Sequence, residues 1–169
     1  MGFDLHGLSP QADTPQPMWT KGDPMVKVKG SKHQYEVDPQ VKEEYDDYIR
    51  TKWEWQDANE GAYFRNNVWG WRPLWNFVCG CCSDILTEKD MDKGYFNDGH
   101  KISKTKAKRI ASRLRKFFDD GSVDAYDSWY TRKTSELPED DRNKDYPFSI
   151  ENVRRFERFC EKSGGFEIW

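Results

Sequence analysis

An arginine set among aromatic rings can hold an anion and a flat ring together. The chain concentrates that combination in one stretch, Gly61-Ala-Tyr-Phe-Arg-Asn-Asn-Val-Trp-Gly-Trp-Arg-Pro-Leu-Trp-Asn-Phe-Val78. A guanidinium can lie over a ring face or hold an oxyanion with two parallel hydrogen bonds, and tryptophan and tyrosine supply the ring. With Tyr63, Trp69, Trp71 or Trp75 stacked on a nucleobase and Arg65, Arg72 and a nearby basic residue such as Arg109 on phosphates, the stretch would suit a small anionic nucleotide-like ligand. Asn66 and Asn67 would read base or ribose edges. His100 and Lys101, beside a Gly-containing turn, complete the ligand-binding set, because an imidazole there can approach a phosphate. Each ring has an alternative place in the core, and each arginine an alternative as a helix cap or as the partner of one of the many acids.

Other chemistry has less to stand on. Cys79, Cys81 and Cys82 are packed too closely for the usual zinc spacing, and further ligands such as Cys160 or His100 would be needed. Buried reduced thiols are the ordinary reading, and neither metal nor cofactor is expected. A phosphodiester-processing enzyme would have to use His6 or His100, with Asp98 nearby. The sequence holds no serine elbow, phosphate-cradling glycine loop or paired-histidine motif, so no catalytic residue is assigned.

The elements that must position these residues follow from composition and patterning. With 169 residues the chain is read as a single domain over 1–169. A mean hydropathy of -1.05 beside 15% aromatics implies a core built largely from rings. The net charge of -3 argues against a general nucleic-acid coat protein, so nucleic acid is not an expected partner, although a local basic patch is compatible with it. No apolar run approaches the length of a membrane helix, and the first residues lack a signal-peptide pattern; a cytoplasmic protein without a membrane partner is expected.

The fold class expected is mainly α, a small α+β: an aromatic-rich helical domain with short N-terminal strands. Residues 2–8 alternate as a strand or extended arm, and the proline-rich 9–24 reads as a loop. Met25–Lys29 and Gln34–Val37 suggest a hairpin, and Asp38-Pro39 the start of a helix reaching Ala58. The spacing predicts a helix over 73–82 begun by Pro73, a capping box at Thr87 with Asp90, and a tight turn at 97–100. Ser103 caps a helix over 104–120 whose outer face carries seven Lys and Arg. Two more helices, over 123–136 and from Ser149 to Gly164, precede an extended tail, 166–169.

Three segments resemble a family of uncharacterised proteins found in bacteria and their phages: Met1-Gly-Phe-Asp-Leu-His-Gly-Leu8; Tyr63 to Trp75 with Asn97-Asp-Gly-His-Lys-Ile-Ser103; and Tyr146-Pro-Phe-Ser-Ile-Glu-Asn-Val153 with Ser163-Gly-Gly-Phe-Glu-Ile168. Relative to that family, 11–59 reads as an insertion of loop, hairpin and helix. The stretch before Tyr146 lacks the cysteine pairs of some relatives, so no zinc role carries over. The phage association implies a part in countering host defence. The function expected is non-enzymatic sequestration of a nucleotide-like host immune signal, with a homo-oligomer building the pocket. Two alternatives stand beside it: an inhibitor binding a host defence protein through exposed tryptophans, and the phosphodiester-processing enzyme.

Overall fold

Strand β1 (Gly2–Gly7) alternates large apolar and polar side chains and sits inside a four-stranded antiparallel sheet. The computed structural model describes residues 2–169. The sheet order is β4-β1-β6-β5, with β4 at Tyr63–Asn67, β5 at His100–Ile102 and β6 at Phe166–Ile168. Leu5 faces both Phe64 and Ile168 across the ladder, and His6 faces Tyr63 and Glu167. The period of two therefore gives one face to Phe3, Leu5, Phe64, Ile102, Phe166 and Ile168, all buried, and leaves ionisable residues on the other.

Two helices cover the apolar face: α2 (Val68–Cys81), through Trp71 on Phe3, and α6 (Ile150–Lys162), through Phe156 on Phe64 and Phe166. Helix α4 (Lys104–Asp119) packs along α6 and α5 (Ser122–Ser135) beside it. In α4, Ser103 accepts the Lys106 N–H as cap, and Ala107, Ile110, Ala111 and Leu114 are buried at helical spacing, as the sequence suggests. The capping box at α3 (Glu88–Lys93) also forms as expected, Thr87 and Asp90 each accepting the other's backbone N–H. Between α6 and β6, Gly164 and Gly165 adopt φ of 66° and 93°, a conformation that favours glycine. A Cβ on Gly165 would also lie 2.8 Å from the Ile102 carbonyl oxygen.

The described residues form two compact units. The larger comprises the chain through Gln11 and Glu60–Trp169; the smaller is Ala12–Asn59. In the smaller unit, β2 (Met25–Lys27) and β3 (Tyr35–Val37) form the expected hairpin, and Trp19 packs on Tyr45 and Tyr48 of α1 (Lys42–Ala58). Asp38 does not cap α1: its carboxylate accepts the Gln40 N–H in a local turn, and the helix begins at Lys42.

The class is α+β and mainly helical, with six α-helices among the described residues and half of the chain helical. No helix of the described residues is long and apolar enough to cross a membrane. Two further local expectations are corrected: α2 begins five residues before Pro73, and the tail 166–168 is an interior strand of the sheet. Tyr63–Asn67, for which the patterning predicts no element, is a strand. Proline cannot donate and favours the first turn, yet Asn67 accepts the Gly70 N–H and starts the helix upstream of it.

Candidate functional site

The aromatic and arginine stretch runs through β4 into α2, so its residues divide among three environments. On the open face of the sheet, Asp4 lies opposite Arg65 and His6 opposite Tyr63. The Tyr63 hydroxyl donates to Asp4, and Arg65 Nε lies 3.6 Å from the same carboxylate oxygen. Burial and the adjoining carboxylate push the Tyr63 hydroxyl up to about 12, so it remains a proton-bearing donor at neutral pH. The His6 ring lies 5.2 Å from that of Tyr63, and Lys101 Nζ is 3.4 Å from Glu167 on the neighbouring strand. Opposite charges alternate across the strands, an arrangement that stabilises the sheet.

A second group is structural. Trp71 and Trp75 are both 0% exposed and stack on each other with centroids 5.3 Å apart. Their indole N–H groups donate to Gly94 O at 2.8 Å and Met91 O at 3.0 Å, so each ring is sealed and satisfied and neither is a ligand platform. Burial of each stabilises the fold by about 3 kcal/mol. Asn66 donates to Asn152, which donates on to Gly70 O, and Asn67 is the α2 cap. His100 Nε2 is 2.9 Å from Asp90, which also pairs with Lys106 and Thr87. Burial opposes ionisation of Asp90, but the hydrogen bonds from Lys106, Thr87 and His100 outweigh it and hold the carboxyl well below the usual carboxylate range.

The third environment is a cleft. Arg72, on the first turns of α2, projects between α5 and the short 3₁₀ helix Arg142–Asp145 into a space of about 200 Å³ lined also by Pro73, Asn76, Tyr95, Tyr130, Asn143 and Tyr146. Its guanidinium carbon lies 5.6 Å from the Tyr146 ring centroid, and Trp69 packs against the same tyrosine at 4.7 Å. Tyr130 donates its hydroxyl to Tyr146 O at 2.7 Å and Tyr95 donates to Asn76, which fixes both rings. Burial raises the hydroxyls of Tyr95 and Tyr130, so neither supplies an anion to the cleft. Among the described residues no carboxylate lies within ion-pair distance of Arg72, so the cleft is positively charged and walled by rings.

The structure thus brings Trp69 and Arg72 together, places Tyr63, Arg65 and Lys101 on the open sheet face, and puts Arg109 on a separate groove along α4. Six lining residues of the cleft lie outside the sequence-derived set: Pro73, Asn76, Tyr95, Tyr130, Asn143 and Tyr146. Tyr130 is half-buried at the cleft wall, and Tyr146 lies in a motif whose sequence gives no sign of Arg72 beside it. Cys82 and Cys160 are buried, and Cys81 Sγ lies 3.6 Å from Cys82 Sγ. Among the described residues no three His, Cys, Asp or Glu side chains converge as a metal-holding group.

Comparison with known proteins gives no match: no family model fits the chain, and neither the curated proteins nor the solved structures contain a significant relative.

Proposed function

We propose that the protein is a non-enzymatic binder of a small anionic, nucleotide-like ligand, and that the ligand enters the Arg72 cleft. The observation that carries this reading is a guanidinium without a carboxylate partner, laid over Tyr146 and flanked by Tyr95, Tyr130 and two asparagines. Such a wall can stack a planar ring while Arg72 meets a phosphate and Asn76 and Asn143 read polar edges. About 200 Å³ is below the range that encloses a whole drug-sized ligand, so the cleft takes one end of the nucleotide. The remainder lies over the exposed ring of Trp69, and a second copy of the chain covers it. In the phage-type setting that the motifs resemble, the ligand would be a host immune signal held intact.

Calorimetric titration with a panel of linear and cyclic nucleotides, followed by denaturation and mass analysis of the recovered ligand, tests this. Tight binding with intact recovery is expected, together with a rise in molar mass by light scattering. Arg72→Ala should weaken binding about ten- to a hundredfold, the loss of a charge-assisted contact, with the thermal midpoint unchanged. Arg65→Ala should leave affinity within about twofold, because Arg65 serves the sheet face. Cleaved ligand would favour the enzyme. An absence of heat with every nucleotide would favour a protein partner anchored on Trp69 and Trp129, 43% and 41% exposed.

A further inference from the structure

The larger unit is electrically balanced, with 20 Lys and Arg against 20 Asp and Glu, yet its charge is not evenly spread. Between Lys104 and Lys116, α4 carries seven cations and no acid. Four of these are drawn to carboxylates elsewhere in the chain: Lys106 to Asp90, Arg115 to Glu157 and Glu161, and both Arg109 and Arg113 to Asp84. A groove of about 330 Å³ runs along the helix, lined by Lys108, Arg109, Ser112, Arg113 and Lys116 with Ile85. Asp84, 2.9 Å from Arg113 and 3.6 Å from Arg109, is the one carboxylate paired with these cations among the described residues. Lys108 and Lys116 make no ion pair there, and both are exposed.

We propose that this groove docks the phosphate backbone of a nucleic acid. Lys108, Ser112 and Lys116 recur every fourth residue and so share one face over about 12 Å of helix. That row presents two ammonium groups and a hydroxyl, the donor types that phosphates recruit, and Arg109 and Arg113 line the groove beside it. Four cations against one carboxylate leave the groove strongly positive, where a face serving only solubility would intersperse both signs. An acidic protein partner fits less well, because protein interfaces centre on aromatic or large apolar anchors and the groove offers Ile85 alone. The absence of a lining ring also means that bases are not stacked, so binding is independent of sequence. The expectation against a nucleic-acid partner rests on the overall charge and on the absence of rings from the basic face, and neither weighs against contacts made to phosphates alone. Nothing here depends on the Arg72 cleft, whose lining residues are different ones.

Fluorescence anisotropy with one labelled oligonucleotide of about 20 nucleotides, offered as a single strand and as a duplex across a salt series, tests the proposal. Affinity is expected to fall linearly in log salt with a slope of about -2 to -3, the value for roughly three phosphates neutralised. The double variant Lys108→Glu/Lys116→Glu should lose at least about tenfold in affinity while its helical signal and thermal midpoint stay those of the parent, since both side chains are exposed. Arg72→Ala should bind the oligonucleotide like the parent. No binding at low salt, equal affinity in the double variant, or competition by polyglutamate as effective as by unlabelled oligonucleotide would each overturn the proposal.

Discussion

Asp90 and Gly94 show how much of the larger unit hangs on single positions in α3 and at its C-cap. Asp90 is buried and holds Thr87, His100 and Lys106 together, so one carboxylate ties α3 to β5 and α4. Its native pKa is depressed, and the unfolded chain therefore binds more protons than the native one as acid is added. The stability it contributes is fully present above about pH 4, the unfolded carboxyl value, and is lost as pH falls through the lower native value. Asp90→Asn is expected to cost about 2–3 kcal/mol at pH 7 and to flatten the decline in stability below about pH 4. Denaturant midpoints measured across the acid range check this; parallel curves for the two proteins would refute it. Gly94 is needed for close approach: a Cβ there would lie 2.0 Å from Trp75 Cε2, and its carbonyl oxygen accepts the Trp71 indole N–H. Gly94→Ala should destabilise by about 3 kcal/mol through displacement of the stacked pair, read as a lower thermal midpoint with altered near-ultraviolet circular dichroism.

Among the elements, β6 bears most on the sheet, because it lies between β1 and β5 and carries two fully buried side chains, Phe166 and Ile168. Truncation before Phe166 would strip both neighbours of their ladder and open the Phe156 and Phe159 rings to water. Loss of the cooperative unfolding transition is expected, and a retained sharp transition in calorimetry would contradict it. That strand was legible in the sequence only as an extended tail. Three residues carry too little periodicity to announce a strand, and the pairing partners stand 64 and more residues away in sequence. By contrast α4 and α6 were readable almost to the residue, because serine caps, glycine stops and a continuous apolar stripe are local signals. Pro73 misled for the same reason: its local preference placed the helix start there, while the Asn67 cap and the Asn66–Asn152 hydrogen bond set it at Val68. The candidate site was half legible. Arginine among rings pointed to Arg72 and Trp69, but the rest of the cleft comes from α5, Tyr95 and the segment around Tyr146, which only the tertiary fold brings beside them.

On the scale of the whole molecule, the chain leaves the larger unit after Gln11 and re-enters at Glu60. Both ends of that excursion are anchored at one place: Gln11 N–H donates to Lys162 O at 2.8 Å, Glu60 pairs with Lys162 Nζ, and Gly61 packs against the Lys162 backbone. The gap is therefore short enough for a linker of about five Gly and Ser residues to replace 12–59 without moving either end. Every residue lining the Arg72 cleft and the α4 groove belongs to the larger unit. The shortened protein is expected to fold with a stability within about 2 kcal/mol of the parent, the scale of the loop-closure difference, and any nucleotide affinity found for the parent, as proposed for the Arg72 cleft, should be unchanged in it. Its charge behaviour should differ. The smaller unit holds 7 Lys and Arg against 10 Asp and Glu, the whole of the net -3, so removing it leaves a neutral chain. Solubility should fall near neutral pH, while oligonucleotide affinity at low salt should rise as the long-range repulsion is removed and converge with the parent's as salt screens it. Failure of the shortened chain to fold would show that 12–59 contributes to the core of the larger unit; unchanged low-salt affinity would show that its acids do not act on the groove.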